Sequence, residues 1–342
     1  MADLPNLAEP RAPLPVEPAV PPAPAGAGAA AEASGAADPA ATADYVERIN
    51  RAIDHVMRHL ADPLPLEEVA RAACFSPFHF HRLFKALVGE TVHDFVKRVR
   101  LEQALRLLSH RRHMSLTEVA LACGFSSSSD FSRSFRARYG VPPRRFDLRG
   151  QRGDGRRQLV EAVWPEGGRQ PLQRLPPGRN PDGFVARVRA VPARRVAYLR
   201  VFRPYEGDGV ARAAQRLVAW ARARGLAGGQ WLGYQWEDPE IVPLAHCRYD
   251  VGLEIPDGVP VDGDIGVAVF PPTTLAEVDL AGPAELELRA LDWLFTTWLP
   301  ASGYVPDHQP CFEAWAGEPF AHGVEHFELR VQLPVVAADR AF

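Results

Sequence analysis

The chain has 342 residues, a net charge of −3, 24% charged and 46% hydrophobic residues, which is the composition of a globular protein with room for two or three domains. No apolar run approaches the roughly 20 residues of a membrane-spanning helix, and the N-terminus lacks the basic start and apolar core of a secretory signal, so we expect a cytoplasmic protein without a membrane partner. The four cysteines lack CxxC or Cys/His ligand spacing, and we expect neither a metal ion nor a cofactor.

The first 43 residues are mainly Ala, Pro, Gly and acidic residues, with almost no large side chains. Such a segment cannot bury enough apolar surface to offset the entropy lost on ordering, so we predict that residues 1–43 are disordered. A helical pattern begins at Asp44, and apolar residues recur at helical spacing up to Leu60. It predicts a first helix that packs over the segment following it.

Residues 64–146 contain one sequence pattern twice. The first copy, residues 66–89, is LEEVARAACFSPFHFHRLFKALVG, and the second, residues 116–140, is LTEVALACGFSSSSDFSRSFRARYG. A repeat of this density indicates a duplicated structural unit. In each copy a short amphipathic helix, a tight turn and a second amphipathic helix follow one another, which is the helix-turn-helix pattern. We refer to the two copies as the first unit and the second unit.

Local sequence features support these boundaries. Ser115, with Glu118 three residues later, has the form of a capping box. Ser76 and either Ser126 or Ser127 are the expected N-caps of the second helices. Residues 91–109, between the copies, keep apolar side chains at helical spacing, so they predict a rigid helix that would set the distance between the two units.

The second helix of a helix-turn-helix enters the major groove of DNA, so its side chains outside the apolar stripe would face the bases. Those side chains are Phe78, His79, His81, Arg82 and Lys85 in the first unit, and Ser127, Ser128, Ser129, Asp130, Ser132, Arg133 and Arg136 in the second. Arginine can pair with O6 and N7 of guanine, whereas serine discriminates less. The alternative for any one of them is a solvated helix face.

The double unit, the connecting helix, the GFSSSSDFSRSFRARYG segment and the closing VPPRRF resemble the DNA-binding domain of the AraC/XylS family of transcription regulators, over residues 44–147. The resemblance implies an all-α tandem helix-turn-helix domain that binds double-stranded promoter DNA. It places the family's base contacts at Phe78, His81, Arg82, Ser128, Ser129 and Arg133, and we add Lys85 and Arg136 to the DNA-binding set. The alternative is an all-α bundle with a duplicated hairpin.

Residues 148–180 are rich in Gly, Arg and Pro, and they predict a linker with a short ordered piece at 159–163. The charge of the chain divides around this segment, because residues 44–150 carry +6 and residues 181–342 carry −8. A basic module joined to an acidic one is expected of a DNA-binding domain with a separate sensing domain.

From Gly183 onward, strand and helix patterns alternate. The predicted order is strand, helix, strand, strand, and then the same once more, which indicates an α+β domain made of two halves that share one core. This order, with the segments GYQWEDPE, CRYDVGLEI, PCFEAW and HFELRVQLPV, resembles the GyrI-like (Rob-type) effector-binding domain over residues 184–335, in a predicted domain of residues 181–342. Related domains sense organic, often cationic, compounds, so the resemblance implies a small organic effector and a role in multidrug sensing.

Aromatic residues are concentrated around the proposed effector cleft. Strand alternation puts Cys311, Glu313 and Trp315 on one face of their strand, and Tyr234 and Trp236 on one face of theirs. A carboxylate that faces aromatic walls would bind a lipophilic cation through charge and through the ring faces. The resemblance also places Glu313 at the acidic position of the family's cleft. The candidate effector-binding residues are Glu313, Trp315, Tyr234, Trp236, Trp231, Trp298 and Tyr304; the alternative is a Glu313 paired with arginine among core tryptophans.

Three functions fit these features. The first is a transcription regulator, not an enzyme, whose effector favours one arrangement of the domains or opens a contact with RNA polymerase. The second is a hydrolase in which Glu313 acts as a general base on water, aided by Tyr304 or Trp236, although no nucleophile-base-orienter pattern supports it. The third is an acidic module that sequesters a DNA-binding partner protein. The tandem unit favours the first function, and the sequence predicts neither the operator, the effector, the sign of regulation nor the oligomeric state.

Overall fold

The computed structural model describes residues 39–110, 114–164, 174–323 and 325–338. Residues 1–38, most of the segment predicted to be disordered, lie outside these ranges, whereas residues 39–43 already belong to the first helix. Within the described ranges no helix is long and apolar enough to cross a membrane. The α-helices are α1 (Pro39–Arg58), α2 (Leu66–Ala72), α3 (Pro77–Val88), α4 (Val92–His110), α5 (Leu116–Ala122), α6 (Ser128–Tyr139), α7 (Leu148–Val163), α8 (Gly209–Ala223), α9 (Glu285–Trp293) and α10 (Leu299–Ser302).

The predicted tandem helix-turn-helix is confirmed, with α2 and α3 in the first unit and α5 and α6 in the second. Helix α4 serves both units. Its N-terminal half contributes Phe95 and Val99 to the core of the first unit, together with residues of α1. Its C-terminal half contributes Ala104 and Leu105 to the core of the second unit. Because one continuous helix of 19 residues, about 28 Å long, is part of both cores, the two units are held at a fixed separation.

The ends of the helices follow the predicted capping residues. The capping box is present, since the Ser115 hydroxyl accepts from the Glu118 amide at 3.2 Å and the Ser115 amide donates to the Glu118 carboxylate at 2.7 Å. Ser127 caps α6 by accepting from the Asp130 amide at 3.1 Å. Ser76 is the N-cap of α3 in position only, because its hydroxyl contacts His79 instead of a backbone amide. These caps satisfy amides that a helix start leaves without partners.

The second domain is built on one antiparallel sheet. Its strands are β1 (Arg187–Val191), β2 (Arg194–Phe202), β3 (Trp231–Gln235), β4 (Arg248–Glu254), β5 (Gly266–Phe270), β6 (Thr273–Gly282), β7 (Tyr304–Pro306), β8 (Cys311–Trp315) and β9 (Phe327–Ala337). The order across the sheet is β1-β6-β9-β8-β3-β4-β2-β5, and β7 pairs with β9.

The two predicted halves are confirmed. The first half runs from β2 through α8 to β3 and β4, and the second runs from β6 through α9 to β8 and β9. They meet at the centre of the sheet, where β3 pairs with β8. Each half also lends its leading strand to the other, since β1 pairs with β6 and β5 pairs with β2. This exchange ties the halves into a single sheet with one main core.

The helix predicted at 284–299 is interrupted. Helix α9 passes into a π-helical turn at Leu294–Trp298, and α10 follows at Leu299–Ser302. Pro300 lacks the amide that would bond the carbonyl of Thr296 in a regular α-helix, so the chain changes its hydrogen-bond pattern across this turn.

The sheet has two different faces. The front face, formed at its centre by Trp231, Gly233, Glu313 and Trp315, carries α8 and α9 and shares their core. The back face, which includes Leu232, Tyr234, Phe312 and Ala314, belongs to a separate cluster. The back face lies toward α1, because the hydroxyl of Tyr198 in that cluster donates to Asp54 of α1 at 2.6 Å.

Residues 148–163, predicted to be linker with a short ordered piece, form the continuous helix α7 instead. Its arginines and glycines, which suggested a solvated linker, make specific contacts. Arg156 is buried and donates to Glu240 and to Asp292 of α9, both at 2.9 Å. Gly155 lies so close to the Glu240 backbone that a β-carbon would overlap it. Helix α7 therefore links the second unit to the sheet domain and packs against the sheet domain.

Candidate functional site

The second helix of each unit presents polar side chains opposite its buried phenylalanines. Phe80 and Phe84 of α3 and Phe131 and Phe135 of α6 are fully buried. The side chains expected to face DNA lie on the opposite side of these helices: Phe78, His81, Arg82, Lys85, Ser129, Arg133 and Arg136 are exposed, and Ser128 is half-buried. The two units thus display the predicted surfaces at equivalent positions.

The key arginines on these surfaces are accessible. The Arg82 guanidinium lies 6.0 Å from the centre of the Phe78 ring, and that ring is itself 69% exposed. Arg133 is 80% exposed and lies 3.8 Å from the carboxylate of Asp130, a distance too long for a strong ion pair. Asp130 also accepts from the Ser126 hydroxyl at 3.1 Å. Both arginines are therefore free to exchange weak contacts for base or phosphate oxygens.

In the sheet domain, a glycine makes room for the predicted acidic residue. Gly233 of β3 pairs directly with Glu313 of β8, so the front face is open beside the Glu313 side chain. The Tyr249 hydroxyl fills this space and donates to Glu313 at 2.5 Å. Glu287 of α9 also hydrogen-bonds to Glu313 from above the sheet.

This arrangement changes how both carboxyl groups ionise. Burial raises the pKa of Glu313 to about 7, although hydrogen bonds from Tyr249, Glu287 and Trp315 favour the ionised form. Burial and the nearby Glu313 raise the pKa of Glu287 well above its usual range. The two carboxyl groups therefore titrate as a pair that retains a proton near neutral pH and carries at most one negative charge there.

Two predicted effector residues lie on the wrong face of the sheet. Tyr234 and Trp236 share a face, as expected, but alternation along β3 puts that face opposite to Gly233 and Glu313. Tyr234 is buried, and the Trp236 indole donates to Asp250 at 3.0 Å. The sequence predicts the alternation within each strand but not the register between β3 and β8, so it could not show that these two side chains face away from Glu313.

The other predicted aromatic residues lie on the front side. Trp231 and Trp315 are paired across β3 and β8 on the same face as Glu313 and are buried in the main core. Trp298 and Tyr304 are half-buried and stack with ring centres 6.1 Å apart and an interplanar angle of 13°. Only this stacked pair offers partly open aromatic faces among the four.

Four polar residues at the site were missed by the sequence analysis: Glu287, Tyr249, Tyr205 and Gln235. Glu287 had a detectable signal, because it lies four residues before Leu291 on the core-facing side of a predicted amphipathic helix, where a carboxylate is unusual. Tyr205 donates to Gln235 at 3.0 Å and lies within electrostatic reach of both glutamates. Its position in a loop gave no comparable signal.

Replacing Gly233 with alanine is expected to abolish the hydrogen bond between Tyr249 and Glu313. The added methyl group would overlap the Tyr249 hydroxyl and lie 2.6 Å from Oε2 of Glu313, so both side chains would have to move. Such overpacking typically costs about 1–3 kcal/mol of stability. Thermal unfolding of this variant, beside Gly228→Ala at a position with open space around it, provides the comparison. Equal melting temperatures for the two variants would contradict the observed packing.

The opposite face of the sheet contacts helices α1 and α4 through buried charges. Arg200 of β2 donates two hydrogen bonds to Asp250 of β4, at 2.8 and 2.7 Å, and lies 3.0 Å from Asp54 of α1. The side chains of Arg200 and Asp250 have no exposed surface. This interface is thus a specific, dehydrated contact between α1 and the sheet.

A second group of charges reaches α4. Arg248 of β4 hydrogen-bonds to Glu237 at 2.8 Å, and its guanidinium lies 5.1 Å from the centre of the Phe95 ring of α4. Arg98 of α4 lies 3.8 Å from the same Glu237. Strand β4 therefore connects the two regions. On one face of the sheet its Tyr249 contacts Glu313, and on the other face Arg248 contacts α4 and Asp250 binds the arginine that contacts α1.

Among the described residues, no group of three or more His, Cys, Asp or Glu side chains is arranged to hold a metal ion. The thiols of the buried Cys123 and Cys247 and of the half-buried Cys311 have pKa values raised by desolvation, which disfavours the thiolate that binds metals.

Comparison with known proteins gives two domain matches. A family model described as a helix-turn-helix domain matches residues 69–149, and one described as a GyrI-like small molecule binding domain matches residues 186–336. The probable transcriptional regulator LumQ of Photobacterium leiognathi is 38% identical over 105 residues, covering 30% of this chain and 42% of that protein. The regulatory protein PocR of Salmonella typhimurium is 35% identical over 99 residues, covering 29% of this chain and 32% of that protein.

A solved structure is also similar. The AraC-type transcriptional regulator from Chromobacterium violaceum is 29% identical, with a TM-score of 0.27, and the match covers 28% of this chain and 86% of that one. The chain spans less than half the length of the curated relatives named above.

Proposed function

Because the chain joins an AraC-type helix-turn-helix domain to a GyrI-like small molecule binding domain, we propose that it is a transcription regulator that binds promoter DNA and a small organic effector. The cytoplasm, where promoter DNA is accessible, is its proposed location. The observation that supports DNA binding best is the pair of helix-turn-helix units built on the single helix α4. Two such units on one rigid helix suit two successive major-groove segments of a duplex.

The proposed base and phosphate contacts come from both units. Arg82 and Arg133 are the residues that would read guanine, since each can donate to O6 and N7. Phe78, beside Arg82, offers an exposed ring for apolar contact with a thymine methyl group. The other proposed contacts are His81, Lys85, Ser128, Ser129 and Arg136. Serine side chains contribute less discrimination, so we expect the second half of the operator to be less strictly specified.

The proposed effector site lies on the front face of the sheet at Glu313. Its floor contains Tyr249 and Glu287. The stacked Trp298 and Tyr304 are a separate proposed aromatic surface farther along the sheet, because Tyr304 pairs with Ala337 of β9 whereas Glu313 pairs with Val331. A shared proton leaves at most one negative charge on the two carboxyl groups near neutral pH, so the site favours an organic cation of charge +1. Such a ligand would favour ionisation of Glu313 on binding.

The first experiment measures thermal stabilisation of the full chain by cationic, neutral and anionic amphiphiles. We expect selective stabilisation by monocations in the wild type and its loss in Glu313→Gln. Glu67→Gln is the matched control, because Glu67 is exposed on α2 and lies outside the sheet domain. Equal stabilisation in Glu313→Gln would exclude Glu313 as the counter-charge. Turnover of an electrophilic dye that is lost in Glu313→Gln would instead favour a hydrolase.

Stabilisation by a cation is expected to depend on pH. Because the pKa of Glu313 is raised to about 7, the carboxyl group is increasingly neutral below that pH, and stabilisation should fall as the pH is lowered from 8 to 6. The stability of the ligand-free protein has the opposite pH dependence. Because the pKa of Glu313 is higher in the folded than in the unfolded state, this stability declines as the pH rises from about 4 to about 7. Melting temperatures across this range, with and without a permanently charged ligand, test both signs. A pH-independent ligand effect would contradict this assignment.

The proposed output of effector binding is a change in the contact between the sheet domain and α1 or α4. Strand β4 contacts Glu313 through Tyr249 on one face and meets α4 through Arg248 on the other. A ligand that shifts this strand would favour one arrangement of the two domains. A contact with RNA polymerase exposed in that arrangement is the second proposed route to regulation.

A further inference from the structure

A cleft of about 490 Å³ lies between the two helix-turn-helix units. Its walls come from both units and from α4. Their polar side chains are His81, His93, Lys97, Arg100, Asp130 and Ser134. The cleft therefore joins α3, through His81, to α6, through Asp130.

The polar side chains of this cleft are mostly basic. His93 and Lys97 are four residues apart and lie on adjacent turns of α4, where His93 is exposed and Lys97 half-buried. Within the described ranges of the chain, neither forms an ion pair. Arg100 is held in place by hydrogen bonds to the carbonyls of Leu60 at 2.9 Å and Asp62 at 2.7 Å.

The cleft has a single carboxylate, Asp130, and other groups already engage it. Its side chain accepts from the Ser126 hydroxyl at 3.1 Å and lies 3.8 Å from Arg133. It is also at the N-terminal turn of α6, where the helix dipole favours a negative charge. His93 and Lys97 therefore remain available for an anion from outside the protein.

We propose that this cleft binds the phosphodiester backbone of the DNA segment between the two half-sites. This inference rests on the DNA binding proposed above, and it adds His93 and Lys97 as positioning residues. When α3 and α6 occupy successive major grooves, the intervening backbone passes the surface between the two units. That surface is the cleft, and its unpaired cations complement phosphate charge. The contacts fix the register of the protein on the duplex without reading its sequence.

The salt dependence of binding is the property that such contacts control. Each phosphate neutralised by the protein releases condensed counterions and contributes about 0.9 to the negative slope of log K against log salt concentration for B-DNA. Loss of a phosphate contact lowers affinity for cognate and unrelated duplexes by similar factors. Loss of a base contact lowers affinity for the cognate duplex selectively.

The test measures binding of the full chain by fluorescence anisotropy across a range of salt concentrations. Two duplexes are compared: one enriched by the full chain from random sequences, called the selected duplex, and one of unrelated sequence. We expect Lys97→Gln to reduce the magnitude of the slope by about 0.9, His93→Gln to reduce affinity for both duplexes alike, and Lys97→Arg to restore the wild-type slope. The matched control is Arg212→Gln, an exposed cation of the sheet domain, which should leave the slope unchanged. Melting temperatures identify any variant that fails to fold, and Lys97→Arg keeps the inference testable in that case.

An unchanged slope in folded Lys97→Gln would overturn the cleft proposal while leaving DNA binding intact. A loss confined to the selected duplex would also overturn it, because it would indicate base reading by this residue. Failure of the wild type to bind any duplex is a different result, since it would contradict the proposed function itself.

Discussion

Replacing Arg200 with alanine is expected to lower the free energy of unfolding by about 3–5 kcal/mol. The change leaves Asp250 without the two hydrogen bonds that it receives in a fully buried position, and it removes the contact at 3.0 Å with Asp54 of α1. An uncompensated buried carboxylate is costly because it has lost its water without gaining a partner. Urea unfolding followed by tryptophan fluorescence measures the effect as a shift of the transition.

A double variant separates the charge from the packing. Replacing a whole buried ion pair with apolar residues of similar size is often neutral, so Arg200→Met with Asp250→Leu should recover part of the stability lost in Arg200→Ala. Full recovery is not expected, because Asp54 and Trp236 would still lose a partner each. A loss below about 1 kcal/mol in Arg200→Ala would be typical of an exposed pair and would contradict the packing of α1 on the sheet.

Replacing Arg82 and Arg133 together with alanine is expected to abolish preference for the selected duplex. A bidentate arginine-guanine pair contributes about 1–3 kcal/mol of discrimination, so losing two contacts should weaken specific binding by about 2–6 kcal/mol, which is roughly 30-fold or more. Both side chains are exposed and take no part in the packing of α3 and α6, so the fold should be retained. Anisotropy on cognate and unrelated duplexes measures the change.

The control for this double variant is Arg212→Ala, an exposed arginine on α8 of the sheet domain. It should bind the selected duplex as tightly as the wild type. The double variant should still bind weakly to any duplex, since Lys85, Arg136 and the cleft cations contribute sequence-independent attraction. Unaltered discrimination in the double variant would show that another surface reads the bases.

The tandem unit was predictable because its signals are local and repeated. Each copy combines a helix period, a turn and an N-cap within about 25 residues, and the capping box at Ser115 fixed one boundary directly. The apolar positions of α4 were also readable from sequence, although a helix shared by two cores has apolar residues on more than one side. The alternation within β3 and β8 was equally predictable.

Other features depend on contacts between distant segments. The register between β3 and β8 decides which residues of the two strands lie on the same face of the sheet. In the structure it puts Tyr234 on the face that points away from Glu313. The segment that forms α7 was predicted to be a linker because the partners of its arginines, Glu240 and Asp292, are far away in the sequence. The buried ion pairs of the back face also join residues that are distant in the sequence, so they could not be predicted either. Because of them, separating the sheet domain from α1 and α4 would remove contacts of buried charges such as Arg200, so ligand binding is best measured on the full chain.

The most direct test of the central claim is selection of binding sites from random duplexes by the full chain. We predict an enriched site with two half-sites about one helical turn apart, because one chain places two recognition helices on the rigid helix α4. The double variant of Arg82 and Arg133 should enrich no such site. Absence of any enriched site for the wild type, or the same site for the double variant, would contradict DNA reading by α3 and α6.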